Sequence, residues 1–237
     1  VKRPSGSFRP DQTALRLIAC ASMLIDHIGD VWFPQAVWMH VLGRPAFPIF
    51  AFLLAEGAAR TRSPLRYLLR LGVFAAISEA PFDFAFSGGV DWSCQNTIVT
   101  LFFGCAMLLS LDRVNGSQKT AVVIAACAAA TLARGDYRFV GILLIYAFAV
   151  ARRAGEGAAR PVAFFTAVTA CLSILEGLLL RDFSAHLPWA AADLGALLAI
   201  PLLARYVPGK RPPPRPVTYA GYLFYPAHLA AIALLAR

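Results

Sequence analysis

Nine apolar runs, each closed by charged or turn-forming residues, divide the chain at residues 13–33, 36–59, 65–86, 95–111, 119–133, 139–151, 161–180, 187–206 and 217–236. A helix of about 20 apolar residues crosses the ~30 Å hydrocarbon layer of a bilayer. A backbone in hydrocarbon must satisfy its own hydrogen bonds, which helices do within a single segment. The expected fold is therefore all-α, a polytopic transmembrane bundle of about nine spans. Apolar residues make up 59% of the chain, charged residues only 15%, and the mean hydropathy is +0.63, which excludes an ordinary water-soluble domain. The runs and their short connections use nearly all 237 residues, so one membrane-embedded domain over 1–237 is expected, with a leader at 1–12 and a stiff Pro-rich linker at 207–216. The fifth and sixth runs are short for full crossings and read as partly re-entrant. The first contains Asp26 and His27 and lacks a small-residue cleavage motif, so it reads as a retained helix and not as a cleaved signal.

The net charge of +9 follows the loops. Lys2, Arg3, Arg9, Arg16, Arg60, Arg62, Arg66, Arg70, Arg113, Lys119, Arg152, Arg153, Arg160, Arg205, Lys210, Arg211 and Arg215 fall on one face of the nine-span arrangement. Arg134, Arg138, Arg181 and Arg237 fall on the other, and Arg44 lies within a span. This is the positive-inside distribution, and it predicts a cytoplasmic N-terminus and an outer C-terminus. Nucleic-acid binding explains the charge less well. The five cysteines, Cys20, Cys94, Cys105, Cys127 and Cys171, have no metal-ligand spacing, and their odd number argues against a complete disulfide framework. They read as packing residues, and no metal site is expected.

Ionisable residues inside spans are costly and mark functional sites or tight pairs. Arg16 and His27 stand eleven residues apart, a separation that returns a helix to nearly the same azimuth about 16 Å along its axis. His27 and Asp30 share a face, whereas Asp26 diverges from His27 by about 100° and needs a partner on another helix, for which Arg44 is a candidate. A lone intramembrane histidine is commonly packing glue between helices. The aligned arginine and the neighbouring acids favour a functional His27.

Four further stretches carry polar chemistry. In "EGAARTRSPLRYLLRLGVF", Ser63 and Pro64 read as the N-cap and first residue of a helix whose start attracts anions. Arg60, Arg62, Arg66 and Arg70 beside it suit the phosphates of a nucleotide-like ligand, although positive-inside charge accounts for Arg60 and Arg62 alone. In "LGRPAFPIFAFLLAEG", Pro45 and Pro48 around Arg44 imply a broken helix. His40 would share Arg44's face if the helix persisted, Phe47, Phe50 and Phe52 read as packing, and Glu56 reads as a structural partner for Arg16 or another arginine. In "SEAPFDFAF", Glu79 and Asp83 repel at i,i+4 unless a proton or a cation, Arg44 or a substrate amine, intervenes. In "YLFYPAHL", Tyr222 and Tyr225 read as interfacial anchors, and His228 as either a structural hydrogen-bonding group or a secondary site residue.

"LRLIACASMLIDHIG", "LGRPAFPIFAFLLAEG", "YLLRLGVFAAISEAPFD", "QNTIVTLFFG", "DYRFVGILLIY" and "YLFYPAHL", in this order over nearly the whole chain, resemble the TraX family of integral-membrane acetyltransferases. The sequence departs from that pattern at Pro45, where an apolar residue is expected, and at Arg138, where a glycine is expected. The resemblance implies a multi-pass protein of the bacterial inner membrane, among lipids, that takes acetyl groups from cytoplasmic acetyl-CoA. The family's named acceptor is the N-terminus of a conjugative pilin subunit. By resemblance His27 is the catalytic residue, with Asp26 or Asp30 orienting its imidazole or binding a cationic amine and Arg44 stabilising an oxyanion. Arg16, Arg60, Arg62, Ser63, Arg66 and Arg70 would serve the CoA end, and Glu79, Asp83, His40 and His228 the acceptor. A surface glycan or lipid headgroup is an alternative acceptor. The rival class is a proton-coupled transporter or flippase, for which paired broken helices in an inverted repeat are expected. "GRPAFP" has no clear counterpart in the second half.

Overall fold

A computed structural model describes residues 9–209 and 215–236. Its elements are α1 (Gln12–Trp32), α2 (Val37–Gly43), α3 (Ala46–Arg60), α4 (Pro64–Phe86), α5 (Thr97–Leu111), α6 (Ser117–Leu132), α7 (Arg138–Ala154), α8 (Ala159–Leu179), α9 (Phe183–Asp193), a 3-10 turn (Leu194–Leu198), α10 (Ala199–Ala204) and α11 (Arg215–Leu235). Among the described residues there is no strand, only an isolated bridge between Gln95 and Gly135. Helices occupy all nine of the expected runs, since α2 continues into α3 and α9 into α10.

Four rods, Val37–Arg60, Ala159–Leu179, Phe183–Ala204 and Pro216–Leu235, are long and apolar enough to cross a membrane, which fits a membrane protein. Helices α1 and α4 have the length, at 21 and 23 residues, but carry Arg16, Asp26 and Asp30, and Arg66, Arg70, Glu79 and Asp83. Their polarity is that of the site described below. Helices α5, α6 and α7 have 15, 16 and 17 residues. At 1.5 Å per residue they reach only about 22 to 26 Å. The shortest is thus the fourth rod, which starts late because the Asn96 side chain caps it, accepting from Ile98 N at 3.0 Å. The sixth runs on to Ala154, where Gly155 closes it in a left-handed conformation at φ 70°.

The ends of the helices follow from local chemistry. Asp11 caps α1 by accepting from Ala14 N at 2.8 Å. Ser63 occupies the cap position of α4 and Pro64 follows it, yet the Ser63 side chain makes no cap hydrogen bond. The rod Val37–Arg60 breaks between α2 and α3 as the prolines require: Pro45 and Pro48 have no N–H to give to the carbonyls four residues back. Ser22 on α1 ties the break to α1, its hydroxyl donating to Leu42 O and, at 3.2 Å, to Gly43 O. Gly43 lets the break settle onto α1, because a Cβ there would collide with Asp26. The rod Val37–Arg60 lies at the centre, with 61% of its apolar stretch buried against 22% for α8, whose exposed Phe164, Leu172 and Leu175 suit lipid.

Arg138, where a glycine was expected, has φ 44°, in the left-handed region that glycine tolerates without strain. The loop before it is held to the loop before α5 by Gln95 N to Arg134 O at 2.8 Å and Asp136 N to Gln95 O at 3.0 Å. At the opposite end, Val207 N donates to Pro10 O at 3.1 Å, joining the start of the linker to the leader. Residues 1–8 of the leader and 210–214 of the linker lie outside the described residues. The five cysteines are free, as expected.

Candidate functional site

Two cavities lie along α1. The larger, about 730 Å³, is lined at one end by Gln12, Arg16, Arg60, Arg62 and Arg70 and reaches Met23, Thr97 and Tyr225. The smaller, about 160 Å³, is lined by Asp26, His27, Asp30, Arg44, Phe86 and Tyr137 among others. Met23, Phe50 and Thr97 line both, so the cavities adjoin there. The Arg16-to-His27 face of α1 runs from one to the other. Phe50, expected as packing, stands at the junction.

The arginine end is only partly neutralised. Glu56 pairs with Arg60 and, at 2.9 Å, with Arg152, and not with Arg16. Arg16 Nη1 and Arg70 Nε are buried without a hydrogen-bond partner. The Arg70 guanidinium sits 4.9 Å from the ring centroid of Tyr222 and 5.3 Å from that of Tyr67, which steadies the cation while leaving it free to meet an anion. Tyr222 is therefore a wall of this cavity, and Tyr225 is buried with its hydroxyl accepting from Thr97 N at 3.3 Å. Ser63 and Arg66 are not in the lining. Arg60, Arg62 and Arg70 line the cavity as expected of that series, but Arg66 is exposed outside it.

At the other end, Asp26 has its partners on the broken rod. Asp26 Oδ1 lies 2.8 Å from His40 Nδ1 and Asp26 Oδ2 3.6 Å from Arg44 Nη1. Asp30 Oδ1 is 3.6 Å from the same His40 nitrogen. Arg44 Nε reaches Asp193 Oδ1 at 3.2 Å, and Ser173 Oγ donates to Asp193 Oδ2 at 2.9 Å. His40 is wholly buried, its ring 4.7 Å from that of Trp189, in space that Gly29 leaves open. The break does not separate His40 from Arg44: both converge on Asp26. Asp26, Asp30 and His40 are close enough to offer three ligands to a metal ion, but the Arg44 guanidinium already occupies the charge of Asp26.

Neither acid touches His27. Its Nδ1 lies 2.9 Å from His228 Nε2, and His228 Nδ1 lies 2.7 Å from Phe224 O. Phe86 and Tyr225 stand edge-on to the His27 ring at 5.1 and 6.3 Å. The expected orienting carboxylate is thus replaced by His228, because Asp26 points a third of a turn away and Asp30 turns to His40.

Arg44 is not the cation between Glu79 and Asp83. Glu79 accepts from the Asn96 side chain and, at 3.4 Å, from Asn96 N, while Asp83 accepts from Asp91 N at 3.1 Å. Amide donors, not a cation, hold the pair apart. In the same loop, the Ser93 hydroxyl and N–H hold Asp91 below the ordinary carboxylate value.

Sequence reasoning missed Asp193, Ser173, Trp189 and Asn96. Asp193 sat in an expected span and was detectable by the rule applied to Asp26. The other three carry no individual signal.

The family model described as "TraX protein" matches residues 11–236. The chain belongs to the TraX family. It is 26% identical over 234 residues to the "Probable fimbrial assembly protein FimC, serogroup H1" of Dichelobacter nodosus, covering 92% of each chain. It is 25% identical over 235 residues to "Protein TraX" of Escherichia coli (strain K12), covering 94% of this chain and 86% of that one. No solved structure matches. The family match and the apolar rods agree on a membrane protein of the TraX type.

Proposed function

We propose that this protein transfers an acetyl group from acetyl-CoA, entering at the arginine end, to an amine or hydroxyl of an acceptor arriving at the opposite end. The reading rests chiefly on one observation: buried guanidinium nitrogens of Arg16 and Arg70 without protein partners lie in a cavity of about 730 Å³ that adjoins the His27 cavity. That size is usual for a cofactor-sized ligand. Guanidinium nitrogens without protein acceptors suit phosphate oxygens, and the ~16 Å from Arg16 to His27 leaves length for an extended arm ending in a thioester. Positive-inside charge supports a cytoplasmic arginine end, where acetyl-CoA is available, and on this reading the protein belongs in a bacterial inner membrane.

His27 takes a proton from the acceptor N–H or O–H as that atom attacks the thioester carbonyl carbon. The new C–N or C–O bond forms, the carbonyl oxygen gains negative charge facing Arg44, and the C–S bond then breaks. The departing sulfur recovers the proton from His27, leaving free CoA thiol. A relative whose name speaks of fimbrial assembly favours a pilin or fimbrial subunit as acceptor. The test incubates purified protein with radiolabelled acetyl-CoA and candidate acceptors, beside His27→Ala. Transfer should vanish in the variant while acetyl-CoA binding persists. Undiminished transfer would remove His27 from the mechanism, and a folded protein that does not bind acetyl-CoA would end the acetyltransferase reading.

A further inference from the structure

We infer that His228 is the positioning residue for His27: it fixes the imidazole in the tautomer that carries its proton on Nδ1 and presents Nε2 as the base. The inference rests on the acetyl-transfer reading for its consequence, but not for its geometry. The proton positions follow from one fixed point. Phe224 O can only accept, so His228 Nδ1, 2.7 Å away, carries a hydrogen. A neutral His228 then has a bare Nε2, and the atom 2.9 Å from it, His27 Nδ1, must be the donor. The two rings are nearly parallel, 11° apart, with centroids 5.1 Å apart, an arrangement compatible with an in-plane N–H···N bond.

The alternative is a doubly protonated His228 donating to His27, which would put the His27 proton on Nε2. That needs a cation buried among Phe224, Tyr225 and His27. Among the described residues, the histidine with a carboxylate in ion-pair range is His40, and neither His27 nor His228 has one. An unpaired buried cation is the costlier state. Nothing among the described residues hydrogen-bonds His27 Nε2, and the ring lines the small cavity. Phe224 O, His228 and His27 therefore form a relay whose free end faces the place where an acceptor would sit. A histidine here does for His27 what a carboxylate does in other acyl-transfer sites, without adding charge. Holding an imidazole in the productive tautomer is worth up to about 10⁴-fold in such sites.

The experiment reads the tautomer directly. The chain has four histidines, so ¹⁵N-histidine NMR of the full protein in detergent, with His27→Asn as the assignment blank, resolves the His27 nitrogens. A protonated Nδ1 and bare Nε2 are expected at neutral pH. His228→Leu should shift the ring toward the Nε2–H form and lower kcat about 100-fold or more with the affinity for acetyl-CoA unchanged. In His228→Gln, the amide oxygen can take the place of Nε2, and both the tautomer and part of kcat should return. A wild-type His27 protonated on Nε2, or a tautomer unmoved by His228→Leu in a protein that remains monodisperse, overturns the inference. Absence of acetyl transfer by a wild-type protein that shows the expected tautomer would instead sink the enzymatic reading.

Discussion

Arg16→Met offers the sharpest test of the arginine cavity. Methionine keeps much of the apolar stem and deletes the guanidinium, whose Nη1 is buried and makes no hydrogen bond in the protein. If that nitrogen meets a phosphate, the variant loses a hydrogen bond to a charged group, about 1.5–3 kcal/mol. At 1.4 kcal/mol per factor of ten this is a loss in acetyl-CoA affinity of roughly 10- to 150-fold, measurable by isothermal titration calorimetry. The ligand-free protein should not lose stability, since no internal partner is abandoned. A thermal melt then separates the two states. With ligand at a thousand times the wild-type Kd, binding stabilises by about 4 kcal/mol, and a hundredfold loss of affinity cuts that to about 1.4 kcal/mol. Arg66→Met is the control, because Arg66 is exposed outside the cavity lining and should bind acetyl-CoA as the wild type does. Wild-type affinity in Arg16→Met, or an equal loss in Arg66→Met, would refute the assignment of this cavity to the donor.

Asp193→Ala leaves Arg44 with Asp26 alone and should destabilise the protein by about 3–5 kcal/mol, read as a lowered melting temperature in detergent; an unchanged melt would mean that the pair is not a structural clamp. Met23→Trp adds bulk where the cavities adjoin, and should retain acetyl-CoA binding while abolishing transfer in the same radiolabel assay. Full transfer would show that the donor does not pass Met23. Burial pushes the Cys94 thiol up to about 11, so a variant retaining Cys94 as its sole cysteine should resist maleimide at pH 7 and react faster as pH rises toward that value. Rapid labelling at pH 7 would contradict the burial.

What the sequence revealed depended on whether the information was local. Apolar runs and their charged borders located the nine rods, because length and hydropathy are properties of contiguous residues. The shared face of Arg16 and His27 was legible for the same reason, as both ride one helix with a fixed period. The broken helix at Arg44 was legible from Pro45 and Pro48, which lack the N–H a continuous helix needs. Partner choice was not. His27 and His228 are separated by 201 positions, and nothing in either neighbourhood names the other. Asp193 escaped notice although it obeys the depth rule that singled out Asp26. The arginine series misled in one respect: Arg66, grouped with Arg60, Arg62 and Arg70 beside the helix start, is exposed outside the cavity that the other three line.

The deep charges then divide by whether the fold satisfies them. Asp26 is met by His40 and Arg44, Asp193 by Arg44 and Ser173, Glu56 by Arg60 and Arg152, and Glu79 by Asn96. Each of these pairings joins different elements or closes a rod's end, and losing one partner would strand the other in a poorly solvating interior. Such groups hold helices in register. Arg16 Nη1 and Arg70 Nε, by contrast, are buried without partners, and His27 spends one nitrogen on His228 and leaves the other free. Of the buried polar atoms the fold leaves without a hydrogen-bond partner, Arg16 Nη1 on α1 and Arg70 Nε on α4 lie in the large cavity, whereas His40 Nε2, Ser78 Oγ and Thr100 Oγ1 line neither cavity and are not offered to a ligand there. A transport pathway would instead need charge that can be re-paired on both sides of a moving barrier. The acids best placed for that, Asp26 and Asp193, are tied to Arg44 in the wall beside His27, where a fixed cation serves an oxyanion better than it serves a migrating proton.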